Sequence, residues 1–370
     1  MSAITPLVMP KWGLEMREGR VAAWLVEEGA RIEVGTPIVD VETDKISNAV
    51  EAPDPGLLRR KVAQAGETLP VKALLGVLAE ADVSDAEIDA FVAAFVVPAA
   101  GADEEEGAAT YEFAEIDGLR VRYARRGEGR GVPVLFIHGF GGDLDNWLFN
   151  LDAVAEAAPV IALDLPAHGQ STPKLPGASL AAMAGFVARF LDRLDVERVH
   201  AVGHSMGGAI AAQLAKDHPQ RVASVAVIGS AGLGQEVNAG YIEGFVSAAS
   251  RRELKPVVEQ LFADPSLVSR QLLDDLLKYK RLDGVSEALT ALGQALFAGG
   301  RQAEAPVLEL EGSGLPLLVL WGREDRIIPA AHADHAPAGS KVVVIEGAGH
   351  MVMMEKASEV NALLKEHVKA

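Results

Sequence analysis

The run Val97-Pro98-Ala99-Ala100-Gly101-Ala102-Asp103-Glu104-Glu105-Glu106-Gly107-Ala108-Ala109 constrains this chain more than any other stretch. Small residues and proline offer little to bury, and four consecutive carboxylates repel one another. The run therefore predicts an extended, mobile tether rather than an ordered surface loop. With 370 residues the chain exceeds what one core of roughly 150 residues typically organises, so the tether divides it into parts that fold separately. The expected organisation is a small domain over residues 1–80, a short helix and linker over residues 81–111, and a larger domain over residues 112–370.

Charge and composition narrow the function classes. Lys and Arg number 34 against 52 Asp and Glu, a formal charge of −18 that repels nucleic acid and anionic lipid. The absence of cysteine removes disulfides, thiolate metal sites and a cysteine nucleophile together. Pro, Lys, Glu and Arg interrupt the N-terminal apolar residues, and nowhere do 18 apolar residues run on unbroken. A soluble, cytoplasmic protein with no bound metal is the expectation.

The first part carries an internal repeat. Gly19-Arg20-Val21-Ala22 followed by Gly29 recurs as Gly56-Leu57-Leu58-Arg59 followed by Gly66, and Val34 and Ile38 fall opposite Val71 and Leu75 at the same offset. Each copy reads as short strands punctuated by glycine turns, so two quasi-equivalent sheets should close into an all-β sandwich. Where the copies join, Val41-Glu42-Thr43-Asp44-Lys45-Ile46 and Asn48-Ala49-Val50-Glu51 predict a hairpin with Asp44-Lys45 at its tip. Downstream, Ser84-Asp85-Ala86-Glu87 forms a capping box. Ile88, Phe91, Val92 and Phe95 then fall on one helical face, expected to pack on this same domain.

A lysine on a tight turn is ordinarily a solvated charge. Here the Met9-Pro10-Lys11-Trp12-Gly13 start, the Glu42-Thr43-Asp44-Lys45 turn and the paired Gly19 and Gly56 resemble the lipoyl domain of 2-oxo acid dehydrogenase-type multienzyme complexes. The resemblance implies lipoate covalently attached at Lys45. A biotin carrier of the same architecture typically has Met on both sides of its lysine, where this chain has Asp44 and Ile46.

From Tyr111 onward, strand-like runs (Leu119–Ala124, Pro133–Ile137, Val160–Leu163, Val199–Val202, Val222–Ile228, Leu317–Leu320, Lys341–Ile345) alternate with helical ones (Leu180–Leu194, Met206–Lys216, Glu355–Lys369). That alternation predicts a mostly parallel sheet covered on both faces, an α/β domain. Within it, Gly203-His204-Ser205-Met206-Gly207-Gly208 places Gly-x-Ser-x-Gly between a strand and a helix, presenting Ser205 on a strained turn that tolerates no bulky neighbours. A serine hydroxyl needs a base held by a third group. His350, delivered by Gly347-Ala348-Gly349 after the last strand, is the expected base. Asp325 is the expected acid, with Glu324 beside it as the alternative. Gly139-Phe140-Gly141-Gly142 follows a strand and can bend its amides, so the backbone N–H groups of Phe140 and Met206 are the expected oxyanion hole.

These motifs, with Asp164-Leu165-Pro166-Ala167-His168-Gly169-Gln170-Ser171, resemble the α/β-hydrolase superfamily over about residues 112–370, with residues 232–305 as a helical cap. The fusion of the two parts is similar to the acetyltransferase (E2) subunits of bacterial acetoin dehydrogenase complexes. That likeness implies acetyl transfer from a lipoyl thioester on Lys45 to coenzyme A through Ser205, His350 and Asp325. It further implies a thiamine-diphosphate-dependent E1 and a flavoprotein dihydrolipoamide dehydrogenase (E3) as partners, and a homo-oligomer. The His-x-x-x-Asp-Gly run of ordinary E2 acyltransferase domains is absent. A hydrolase releasing the acyl group to water and a non-catalytic carrier or scaffold remain alternative readings.

Overall fold

The computed structural model describes residues 4–10, 16–43, 47–52, 54–97, 111–129 and 131–369. The chain forms two compact units, Met1–Thr110 and Tyr111–Ala370.

In the first unit, short β-rich segments separated by turns form eight strands: β1 (Thr5–Val8), β2 (Glu18–Trp24), β3 (Arg31–Ile32), β4 (Pro37–Glu42), β5 (Ser47–Glu51), β6 (Gly56–Lys61), β7 (Thr68–Pro70) and β8 (Leu74–Ala79). They make two four-stranded sheets, ordered β1-β8-β6-β3 and β5-β4-β2-β7. The repeat appears here as symmetry, because β8 takes in one sheet the place β4 takes in the other. Val21, Ile38, Val39, Val41, Leu58, Leu75 and Leu78 fill the core between them. β4 and β5 pair antiparallel as far as Glu42 opposite Ser47, a hairpin as expected. Asp44 and Lys45 themselves, Lys11 to Gly13, and the tether from Pro98 onward lie outside the described residues.

The helix Asp85–Ala94 starts at Ser84 with the capping box complete, Glu87 reaching back to the Ser84 amide at 2.9 Å. Ile88 is buried with Leu74, Val77, Ala79 and Val83, and Phe91, Val92 and Phe95 pack against that cluster. Arg59 reaches Asp85 at 3.0 Å and Arg60 reaches Asp89, so the helix is fastened to the sandwich.

The second unit is an eight-stranded sheet of β9 (Glu112–Ile116), β10 (Leu119–Arg126), β11 (Val134–Ile137), β12 (Val160–Leu163), β13 (Val199–His204), β14 (Val222–Ile228), β15 (Leu317–Gly322) and β16 (Lys341–Ile345). Its order is β16-β15-β14-β13-β11-β12-β10-β9, parallel from β12 through β16 and antiparallel at the β9-β10 edge. β9 was not among the expected strands, because Glu112, Phe113 and Glu115 are exposed and only Ala114 and Ile116 are buried. The expected last helix, Glu355–Lys369, is realised as Ala357–His367, with a separate short helix Val352–Glu355 before it, since Lys356 leaves helical backbone geometry. Four helices between β14 and β15 (Ala239–Ser247, Arg251–Val258, Arg270–Lys280, Val285–Phe297) form the cap region.

Buried polar side chains hold the loops at the carboxyl ends of β11 and β12. Arg122 grips Asp164 at 2.6 Å with both side chains buried, and Asp164 also accepts the N–H groups of Leu144 (2.9 Å) and Gln170 (2.7 Å). His138 accepts the Leu165 N–H at Nε2 (2.9 Å), which assigns its proton to Nδ1, donating to the Gly139 carbonyl at 2.8 Å. Burial pushes His138 down to about 4, and burial together with neighbouring His138 pushes His168 down to about 3.

Both groups have folded-state values below the unfolded value of about 6.5. Above that pH neither state is protonated and they contribute nothing. Below it the unfolded chain takes up protons that the folded chain refuses, and stability falls. The denaturant midpoint of the second unit is therefore expected to drop between pH 6.5 and 4. His168→Phe should flatten that slope; an unchanged slope in the variant would count against it.

Candidate active site

β13 runs directly into the helix Met206–Asp217, and Ser205 occupies the corner with φ 53° and ψ −121°. A non-glycine residue holds that geometry only when its surroundings enforce it. The enforcement is close backbone packing. A Cβ at Gly203 would lie 2.2 Å from the Gly207 carbonyl oxygen, and one at Gly207 would lie 2.2 Å from the Ile137 carbonyl oxygen. The Ser205 N–H donates to Ile228 at 3.0 Å, and its carbonyl accepts from Gly208 and Ala231 at 3.0 and 3.1 Å. Strain at the corner is thus tied down from both sides.

Asp325 follows β15 and His350 follows β16, on the same edge of the sheet. His350 Nδ1 lies 2.8 Å from Asp325 Oδ2, with 2% and 0% of the two side chains exposed. Asp325 Oδ2 also accepts the Trp321 indole N–H at 3.0 Å, and Oδ1 accepts the N–H groups of Ile327 and Ile328 at 2.8 and 3.0 Å. Glu324, the alternative acid, is turned elsewhere and accepts the Ala348 N–H at 2.9 Å. His204 Nε2 donates to the His350 carbonyl at 3.0 Å, and the two rings stand 4.6 Å apart between centroids. His350 is thereby brought against the residue that precedes Ser205. Burial, then the neighbouring His350, drive His204 well below the usual histidine range, so it remains a neutral donor.

The loop expected to stabilise an oxyanion meets the same corner. A Cβ on Gly139 would lie 2.9 Å from Ser205 Cβ, so this loop approaches the serine as closely as glycine allows. Met206 is the first helical residue, whose amide has no partner within its own helix. Phe140 is buried under the cap, in edge contact with Phe245 at 6.0 Å and Phe297 at 6.2 Å. Lys280 from a third cap helix donates to the Phe245 and Ala248 carbonyls. A strained serine, an imidazole oriented by a buried carboxylate, and a glycine-containing loop packed beside a helix N-terminus can together support acyl transfer through a covalent serine ester. No cluster among the described residues has the donors to hold a metal ion.

Sequence reasoning did not single out Trp321, which reads as a core aromatic, nor the anchoring by His204, whose partner lies 146 residues away. Removing the indole N–H leaves one oxygen of a buried carboxylate short of a donor, a loss of about 1.5–3 kcal/mol. Trp321→Phe should accordingly lower kcat/KM on an acyl ester about tenfold or more at little change in KM. An unaltered kcat would show that the indole does not help to fix Asp325.

Comparison with known proteins places both units. A family model described as alpha/beta hydrolase fold matches residues 132–357, and one described as biotin-requiring enzyme matches residues 5–78. The chain is 68% identical over 365 residues to the dihydrolipoyllysine-residue acetyltransferase component of the acetoin cleaving system of Cupriavidus necator, covering 99% of this chain and 97% of that one. It is 50% identical to the component of the same name from Pseudomonas putida, covering 99% and 100%. A meta-cleavage product hydrolase from Pseudomonas fluorescens shares the fold of the second unit, with a TM-score of 0.63 and 23% identity, covering 70% of this chain and 97% of that one. With a lipoyl-type sandwich and an α/β-hydrolase fold in one polypeptide, matched from end to end, the chain belongs to the family of dihydrolipoyllysine-residue acetyltransferase components of acetoin cleaving systems.

Proposed function

We propose that the chain moves an acetyl group from a thioester of reduced lipoate, amide-linked to Lys45, to the thiol of coenzyme A. Ser205 is the nucleophile, His350 the proton carrier, Asp325 its anchor, and the Phe140 and Met206 N–H groups the oxyanion hole. The observation that carries this reading is the buried 2.8 Å contact between His350 and Asp325 beside the strained Ser205 corner. The hairpin fits the prosthetic group: β4 and β5 close at Glu42 and Ser47, which leaves a short connection containing Lys45. Lipoate bound there supplies a thiol on a long arm that carries the acyl group between sites.

With Nδ1 committed to Asp325, His350 Nε2 exchanges the protons. It takes the Ser205 hydroxyl proton as Oγ attacks the thioester carbonyl, and the developing oxyanion is held by the two amides. Collapse breaks the carbon–sulfur bond. Nε2 returns its proton to the departing sulfur, leaving an acetyl ester on Ser205. The thiol of coenzyme A then gives its proton to Nε2 and attacks the ester, and the proton ends on Ser205 Oγ. Atoms balance without redox chemistry. Direct attack of the incoming thiol on the thioester would use His350 as base and the same two amides, and would leave Ser205 Oγ without a covalent role.

As a component of a multienzyme system, the chain works with other subunits. We assign loading of the arm to a thiamine-diphosphate-dependent E1 and reoxidation of the dithiol to a flavoprotein E3, around a homo-oligomeric core in the cytoplasm. In keeping with this, no helix among the described residues is long and apolar enough to cross a membrane.

Full-length protein given acetyl-dihydrolipoamide with and without coenzyme A should form acetyl-CoA in excess of acetate. Acetate alone would make it a thioesterase. Ser205→Ala should reduce turnover about a thousandfold or more; intact turnover would exclude the acyl-serine and leave direct attack by the thiol. Intact mass after growth with lipoate should show one lipoyl group, lost in Lys45→Arg.

A further inference from the structure

The short helix Val352–Glu355 lies just beyond His350, and its last residue faces two elements at once. Glu355 Oε2 accepts the Gly349 N–H at 2.7 Å, one residue before His350. Its other oxygen, Oε1, accepts the Ala263 N–H at 2.7 Å, with the Asp264 N–H at 3.5 Å. Ala263 belongs to the segment between the cap helices Arg251–Val258 and Arg270–Lys280. The same two segments join again where the Met351 N–H donates to the Leu261 carbonyl at 3.0 Å. They also touch backbone to backbone, since a Cβ at Gly349 would lie 2.7 Å from the Ala263 nitrogen and 2.8 Å from the Phe262 carbonyl carbon. Phe262 and Met351 are buried beside this seam.

We infer that Glu355 is a positioning residue that staples the cap to the histidine loop and so keeps water from the acyl-serine, an inference that rests on the transfer reading above. An acyl-serine next to an imidazole hydrolyses whenever water reaches it, so a transferase must keep that approach closed while a thiol enters. The staple sits where it can do so, one residue from the base on one side and on the cap backbone on the other. A carboxylate suits the task because each oxygen accepts a backbone N–H. A carboxamide offers one accepting oxygen and turns its NH2 group against the second donor.

The test compares wild type, Glu355→Gln and Glu355→Asp as full-length proteins, using acetyl-dihydrolipoamide and coenzyme A. In Glu355→Gln the ratio of acetate to acetyl-CoA should rise about tenfold, with Glu355→Asp in between. Hydrogen exchange should fall in protection about tenfold, in the peptides spanning residues 261–264 and 347–351 together, while peptides from β13 and β14 keep theirs. An unchanged product ratio, or protection lost evenly across the second unit, overturns the inference. Should the wild type itself form only acetate, the transfer reading falls, and the exchange measurement alone then decides whether Glu355 staples the cap.

Discussion

A carboxylate stripped of water must have its charge answered by the protein, and Asp325 meets that demand with four N–H donors. Ile327 and Ile328 fix one oxygen from the chain just downstream, and Trp321 and His350 converge on the other. The first three set the plane of the carboxyl group before the imidazole arrives, so the imidazole can meet it in one orientation. His204 secures the backbone of the same histidine from the opposite side. Ring and main chain of His350 are therefore fixed independently. The two fixings come from the carboxyl ends of β15 and β13, strands of one sheet, which packs them at spacings a loop alone would not hold.

Much of this frame was legible in the sequence, and the reason is local. The Gly203-His204-Ser205-Met206-Gly207 elbow, the capping box at Ser84 and the 37-residue repeat are contiguous patterns whose physics acts between near neighbours. What stayed hidden joins distant residues. The 92-residue separation between Ala263 and Glu355 leaves no periodic trace, and Trp321 in an apolar strand looks like packing until its N–H is seen to be spent on Asp325. β9 escaped because an edge strand keeps its outer residues wet and so shows a weak apolar signal.

The second unit also shows how buried histidines can serve an active site without reacting in it. His138 and His168 are held neutral by burial, and His138 uses both ring nitrogens to tie the Gly139 loop to the loop after β12. The loop that approaches Ser205 is thus braced from below by imidazole and ion-pair contacts and from above by Phe245 and Phe297. Aromatic edge contacts alone would let it slide, whereas directional hydrogen bonds fix its height.

The repeat of the first unit bears on stoichiometry. The pairing of β4 with β5 has its symmetry counterpart in the pairing of β8 with β1, but β4 and β5 follow one another in the sequence whereas β8 and β1 do not. At its counterpart β8 pairs with β1, and there the polypeptide enters and departs, with Asp82 standing at the offset that would match Lys45. With the attachment proposed at Lys45, the repeat within this sandwich thus supplies one mooring for a prosthetic group rather than two, and its near-symmetry does not double the load.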